Sequence, residues 1–499
     1  MNMEVLAFVL YFIAMLGIGF YFFFASKSNG EKDYFLGGRS MGPWVTALSA
    51  QASDMSAWLL MGLPGSILAF GLGQAWIGIG LAIGTSLNWI FVAKRLRNFS
   101  VAANDSITVP QYLSNRFASK SPVLQIASAV IFLVFFTVYV ASAFVAGTDV
   151  FTTVFKDLPR ETAMIIFAAI ILIYTFLGGF KAVCWTDFFQ GMLMFVALLA
   201  VPIVAYFAMD LDKGALAQSL TYIDGGKEVV CSFTTNIFAA DWKEIVNGLA
   251  WGLGYFGMPH IIVRFMSIKE AKMVKKSATI AIIWVIITLA CAILIAYFGR
   301  MTAIGQNLVA SGGQKLIFIQ LARAMFPAFV AGILMAAIIA ASMSTADSQL
   351  LVASSSFTSD IYKPVIRKNA SEKEVLWVGR LVVVLVAVVA YFIASSKGSG
   401  AQAIMNMVEN AWAGFGSAFG PVILLSLFWK RFTYKGAVAG VIGGAVVDVF
   451  WLLFMGSTGI YEIIPGVIVG FVLCVVVSLL DKKPSDEVIA IYENAVSNN

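Results

Sequence analysis

Apolar residues run along the chain in thirteen blocks of 17–29 residues: 4–25, 43–71, 73–93, 122–148, 162–178, 186–208, 244–262, 278–299, 326–354, 375–395, 401–428, 436–456 and 460–480. An α-helix needs roughly 20 apolar residues to cross a bilayer, and more where it tilts or breaks. The pattern therefore predicts an all-α polytopic membrane protein with thirteen crossings. Polar stretches between blocks are short, and none reads as a soluble domain. The longest, 209–243, holds Gly, Asp and Thr and predicts one or two short helices. Segment 301–325, with its K-L-I-F-I-Q-L-A-R-A run, predicts a re-entrant or amphipathic piece. The tail 481–499 reads as short and polar.

Two blocks interrupt themselves. The stretch Ala50 to Gly65, A-Q-A-S-D-M-S-A-W-L-L-M-G-L-P-G, sets Asp54, Gln51, Ser53, Ser56 and a Gly-Leu-Pro-Gly break inside an apolar run. A charge at the centre of a membrane helix costs about 2.5–3.5 kcal/mol on the gentlest scale. Irregular backbone at membrane depth survives only inside protein or beside a cavity. A carboxylate with freed carbonyls makes a set of hard oxygen ligands for a small cation. The competing reading is a proline-kinked packing helix whose aspartate faces a wet vestibule. The second interruption, A-W-G-L-G-Y-F-G-M-P-H from Ala250 to His260, holds glycines, Pro259 and the rings of Trp251, Tyr255 and Phe256. Glycines serving close helix packing are the plainer account of it. The two breaks fall in blocks two and seven, an offset of five. Interrupted segments at corresponding places in two halves point to an inverted-repeat secondary transporter.

Block nine ends A-I-I-A-A-S-M-S-T-A-D-S-Q-L-L, where Ala341, Ser344, Thr345 and Ser348 share a helix face at spacings of three and four. Its hydroxyls can complete a cation shell begun by the first break. Asp347 and Ser348 lie further along, where a second cation, a proton or an exit vestibule is equally consistent. Asp187, in G-G-F-K-A-V-C-W-T-D-F-F-Q, reads either as a gate paired with Lys181 or basic loop residues, or as a ligand for an exiting ion beside Asp347. His260 reads as a capping or packing residue. Glu409, Asn406 and Asp448 stay unassigned.

Composition agrees with the pattern: 60% hydrophobic and 12% charged residues, with a mean hydropathy of +0.89. The net charge of +6 does not point to nucleic acid, because the basic residues lie between apolar blocks. Sorted by alternate loops, 24 of the 33 Lys and Arg fall on one side and nine on the other. Positive charge faces the cytoplasm, so the N-terminus is expected outside and the C-terminus inside. Four cysteines without paired spacing predict no disulfide framework. The start M-N-M-E-V lacks the basic region of a signal peptide, so the first block is expected to stay as a helix. No nucleophile–base set or metal-ligand cluster marks an enzyme. No repeated filter motif marks a channel, and no signalling domain a sensor.

These motifs, with F-L-G-G-R-S-M-G-P-W ahead of the first break and A-W-A-G-F-G-S-A-F-G-P at Ala411 to Pro421, resemble the sodium:solute symporter family over about residues 3–482. The resemblance implies a LeuT-type core of two inverted five-helix repeats, 43–208 and 244–428. A leading helix at 4–25, two trailing helices within 436–480 and a cytoplasmic tail at 481–499 complete it. It implies sodium as the co-transported ion, held by backbone oxygens of Ala52 and Met55, the carbonyl of Ala341 and the hydroxyls of Ser344 and Thr345. Asp54 would serve sodium affinity, directly or by holding the unwound segment. It implies uptake of L-proline at a bacterial inner membrane by alternating access, with Ser56, Gly62, Tyr139, Trp251, Tyr255 and Pro259 at the solute. Relatives carry sugars, pantothenate and other acids, so another small amino or organic acid is the alternative solute. Asp347 departs from the family pattern and leaves a second cation open. No protein partner is evident.

Overall fold

In the computed structural model, residues 2–25, 30–224, 226–396 and 401–497 are described. Lys27 and Lys397, two of the residues used to orient the chain, lie outside them, as does the end of the tail. Helix lies over every one of the thirteen apolar blocks. Ten helices among the described residues are long and apolar enough to cross a membrane. The other three blocks are the two broken helices and segment 160–178. Gly179 (φ +58°, ψ 179°) ends that segment and turns the chain into the next helix, so a single helical run becomes two. A side chain at this φ would be strained.

Burial separates centre from rim. Helices Ile404–Phe428 and Ala328–Ile366 are buried over 83% and 78% of their apolar stretch, while Met3–Phe22 and Tyr434–Phe454 are buried over only 28%. Helix Ala328–Phe357 packs between Val123–Val154, Arg160–Ala208 and Met3–Ala25, which explains its near-unbroken run of small and apolar residues.

The first broken helix starts with Pro43 at its first turn after an extended Gly42, a position where the missing N–H costs nothing. It runs to Met55. Ser56, at φ +45° and ψ −176°, leaves helical geometry, and its hydroxyl accepts the Trp58 N–H at 3.1 Å. Helix resumes at Gly62–Phe70. The second starts under an Asp241–Glu244 capping box, runs over Trp242–Ala250, tightens through Trp251–Phe256 and resumes at Pro259–Ser267. The two lie antiparallel. Met41 bridges Ile268 at one end, and Gly71 bridges Thr234 at the other.

The segments between and after the crossings carry more structure than expected. The loop 209–243 carries two short 3-10 helices, Lys213–Ala217 and Ile237–Ala239, as expected, and between them a two-stranded hairpin, Leu220–Asp224 with Lys227–Cys231, that makes the fold not wholly helical. Segment 301–325 forms helices Ala303–Ala310 and Ile317–Met325, and the latter is the amphipathic piece expected: it buries Ile317, Phe318, Ile319, Leu321 and Ala322 and leaves Gln320 and Arg323 part-exposed. Between them Lys315 donates to Asp149 at 2.7 Å, which also accepts from Arg160 at 2.5 Å. The tail carries a helix, Asp486–Ser497, that buries Val488 and Ala495. Arg95 donates to its Tyr492 hydroxyl at 3.2 Å, and Arg116 donates to the Val488 carbonyl at 3.2 Å.

Candidate functional site

The two breaks meet. Tyr255 donates its hydroxyl to the Asp54 carboxylate at 2.6 Å, across 201 residues of sequence. Tyr139, from helix Val123–Val154, points its hydroxyl at the Asp54 carbonyl at 3.5 Å. The Tyr255 carbonyl accepts from Asn88 at 3.0 Å, which fixes the unwound turn. Around this junction Asp54, Met55, Ser56, Trp58, Leu81, Tyr139, Trp251, Tyr255, Val408 and Trp412 enclose about 10 Å³, room for one water. A solute enters only when these walls part.

Of the six residues expected at a solute, Ser56, Tyr139, Trp251 and Tyr255 line this space. Gly62 and Pro259 do not. Gly62 instead lies against Trp58 and the Met405 thioether, and Pro259 opens the second half of its helix. Sequence reasoning missed Trp58 and Trp412, although both sit in motifs it quoted. A tryptophan in an apolar run carries no polar signature. Trp251 stacks on Trp58 at 5.5 Å and on Trp412 at 6.3 Å, and its carbonyl accepts the Trp412 indole N–H at 2.7 Å. Rings thus wall the side of the cavity toward Phe70 and Trp242.

The residues expected at a cation divide into two groups. Ser344 donates to the Ala52 carbonyl at 2.8 Å and to the Ala341 carbonyl at 3.2 Å. Beside it the Thr345 hydroxyl is fully buried and has no hydrogen-bond partner among the described residues. Three oxygens, the Ala52 and Ala341 carbonyls and the Ser344 hydroxyl, therefore meet between the first break and helix Ala328–Phe357, with the unsatisfied Thr345 hydroxyl on the adjacent residue. That set suits a small hard cation. Asp54 sits two residues beyond Ala52, about 200° around the helix, with its carboxylate on Tyr255 and the cavity. Met55 lines that cavity too.

Toward Ser267 the site ends in charge. Asp187 is paired with Arg264 of the second broken helix at 3.1 Å, both fully buried, rather than with Lys181. Ser49 donates to Asp187 at 2.7 Å and accepts from Arg264 at 3.0 Å. Arg264 also donates to the His260 carbonyl and the Ser348 hydroxyl, each at 2.5 Å, and Ser348 donates to Asp347 at 3.3 Å. One oxygen each of Asp187 and Asp347 is buried without a partner among the described residues. His260 packs its ring against Phe136 and Tyr139, beside the Ser53 backbone. Below, Arg39 donates to Asp105 at 2.8 Å, to the Ser106 carbonyl at 2.7 Å and to the Met266 carbonyl, tying the loop before one broken helix to the end of the other. Burial pushes the Asp105 carboxyl up, but Lys32 and Arg39 together outweigh it and hold the group below its ordinary range.

The sodium:solute symporter family model matches residues 34–444. The sodium/proline symporter of Escherichia coli (strain K12) is 43% identical over 487 residues, covering 96% of this chain and 93% of that protein. The chain belongs to the sodium:solute symporter family. The osmoregulated proline transporter of Bacillus subtilis (strain 168) is likewise 43% identical, over 479 residues covering 95% and 94%. A Na+-coupled sialic acid symporter, solved in a substrate-bound outward-open state, superposes with a TM-score of 0.75 over 97% of this chain and 99% of that one, at 19% identity. The likeness in fold spans the whole family member, and the core is of the LeuT type, with both broken helices inside it.

Proposed function

We propose that this family member carries L-proline with sodium into the cell across the bacterial cytoplasmic membrane, by alternating access. The observation that carries the reading is the junction of the two breaks, where Asp54 and Tyr255 meet beside an aromatic-walled space. Identity of 43% to named proline transporters over nearly the full chain supports the solute.

Sodium binds among the Ala52 and Ala341 carbonyls and the Ser344 and Thr345 hydroxyls, with the Met55 carbonyl turned in as the first break adjusts. Binding draws helix Ala328–Phe357 and the break together. The same break carries Ser56, and Tyr255 follows through Asp54, so sodium sets the geometry of the solute walls. Proline places its pyrrolidine ring among Trp251, Tyr139 and Tyr255. Its carboxylate meets the N–H groups freed at the unwound backbone, as anions do at helix N-termini. Gly62 allows Trp58 to swing, and Pro259 holds the second break open. Asp187, Arg264, Ser348 and Asp347 close the cytoplasmic side, and the tryptophan wall closes the outer side.

Thirteen crossings follow, with repeats at 43–208 and 244–428, the N-terminus outside and the tail in the cytoplasm. Sodium must raise proline affinity by the factor by which proline raises sodium affinity. Asp54→Asn removes the charge and keeps the shape, so the sodium needed for half-maximal proline binding should rise at least about tenfold, some 1.4 kcal/mol. Unchanged sodium dependence of proline binding in this variant contradicts the reading. Competition by unlabelled amino and organic acids in the same assay identifies the solute.

A further inference from the structure

Arg380 lies eight residues into membrane helix Glu372–Ser396, roughly 12 Å along its axis. Among the described residues it makes no ion pair, and its buried Nε has no hydrogen-bond partner. Its guanidinium lies over three rings, Trp377 at 5.1 Å, Phe176 at 5.2 Å and Tyr34 at 5.9 Å. The ring faces favour the cation and the Tyr34 hydroxyl offers it one acceptor, but together they supply no counter-ion and leave most of its five N–H donors unmet. An unpaired charge within a membrane helix marks a site by default.

One turn further along the same helix, Val384 faces Leu172, Ile173 and Phe176 across an apolar groove of about 320 Å³. Phe176 belongs to both features: one ring borders the groove and covers the arginine. The groove opens on the membrane-facing side, where Trp377 and Leu381 are exposed. A cation at the head of an apolar trough fits an amphipathic molecule with an anionic head and an acyl tail. Basic pockets between membrane helices bind acidic headgroups in this way.

We propose that Arg380 and this groove bind an anionic phospholipid, with the phosphate on the guanidinium and an acyl chain along Val384, Leu172 and Ile173. The groove's lining of Leu172, Ile173, Phe176 and Val384 offers a second copy of the chain no carboxylate to set against Arg380, so charge complementarity favours the lipid. Native mass spectrometry of the full chain, with phosphatidylglycerol or phosphatidylcholine added, tests it. The wild type should retain one phosphatidylglycerol about fivefold better than phosphatidylcholine. Arg380→Gln should lose that preference. Val384→Trp, which fills the groove and keeps the arginine, should lose retention, and it decides the matter should Arg380→Gln not fold. Millimolar inorganic phosphate should leave the lipid in place. Equal retention of both lipids by the wild type, retention unchanged in Val384→Trp, displacement by free phosphate, or a dimer that excludes lipid would each overturn the proposal. The readout is lipid occupancy, so its failure leaves the transport reading untouched.

Discussion

Thr345 shows how a single side chain separates folding from binding. Its hydroxyl is buried and bonds to none of the described residues, while Ser344 next to it satisfies two carbonyls. Replacing an unpaired buried hydroxyl by an apolar group of the same shape is nearly neutral or stabilising. Thr345→Val should therefore keep the melting temperature measured without sodium and lose most of the stabilisation that sodium adds. A sodium-dependent melting curve matching the wild type would remove Thr345 from the proposed cation shell. Arg264 is the other residue on which much converges. It meets Asp187, Ser49, Ser348 and the His260 carbonyl inside the protein. Removing one member of a buried pair strands a charge and costs about 3–5 kcal/mol, whereas replacing both is far milder. Asp187→Asn should thus lower thermal stability sharply, and Asp187→Asn with Arg264→Gln should recover much of it. A double variant no more stable than the single would show that the pair does not act as a unit.

Elements meet at the breaks because small residues let them. A Cβ at Gly84 would overlap the Gly252 carbonyl, and one at Gly80 would overlap that of Gly248. Helix Ala75–Leu87 therefore lies backbone to backbone against the second broken helix. Gly84→Ala must push the two apart and should cost about 1–3 kcal/mol, read as a lower melting temperature. A melting temperature equal to the wild type would mean that the contact yields without strain. Both breaks were legible in the sequence, since glycine, proline and a carboxylate inside an apolar run contradict a plain anchor. The hydroxyl stripe on block nine was legible for the same reason. Arg264 was not, because it sits at the end of an apolar block and reads as a loop charge, 77 residues from its partner. The hairpin at Leu220–Cys231 carried its signal in the D-G-G-K turn sequence between β-prone residues such as Thr221, Tyr222, Ile223, Val229 and Val230, weak beside the stronger helical pattern. The tail helix hides its stripe of Val488, Ile491, Tyr492 and Ala495 among charges.

At the scale of the molecule, the same junction is closed on both sides. The Trp58, Trp251 and Trp412 wall covers one side, and the Arg264 and Arg39 networks hold the other. Space for one water between them means that proline is admitted only by rearrangement, and sodium at the first break is the proposed trigger. Coupling of this kind makes a prediction that passive binding does not: the solute must move against its own gradient while sodium moves down its own. The decisive measurement is uptake of labelled proline into proteoliposomes holding the purified chain, under an inward sodium gradient and then with potassium in its place. The account predicts accumulation above the external concentration with sodium and none with potassium. Equal uptake in the two salts, or equilibration without accumulation under the sodium gradient, would contradict it.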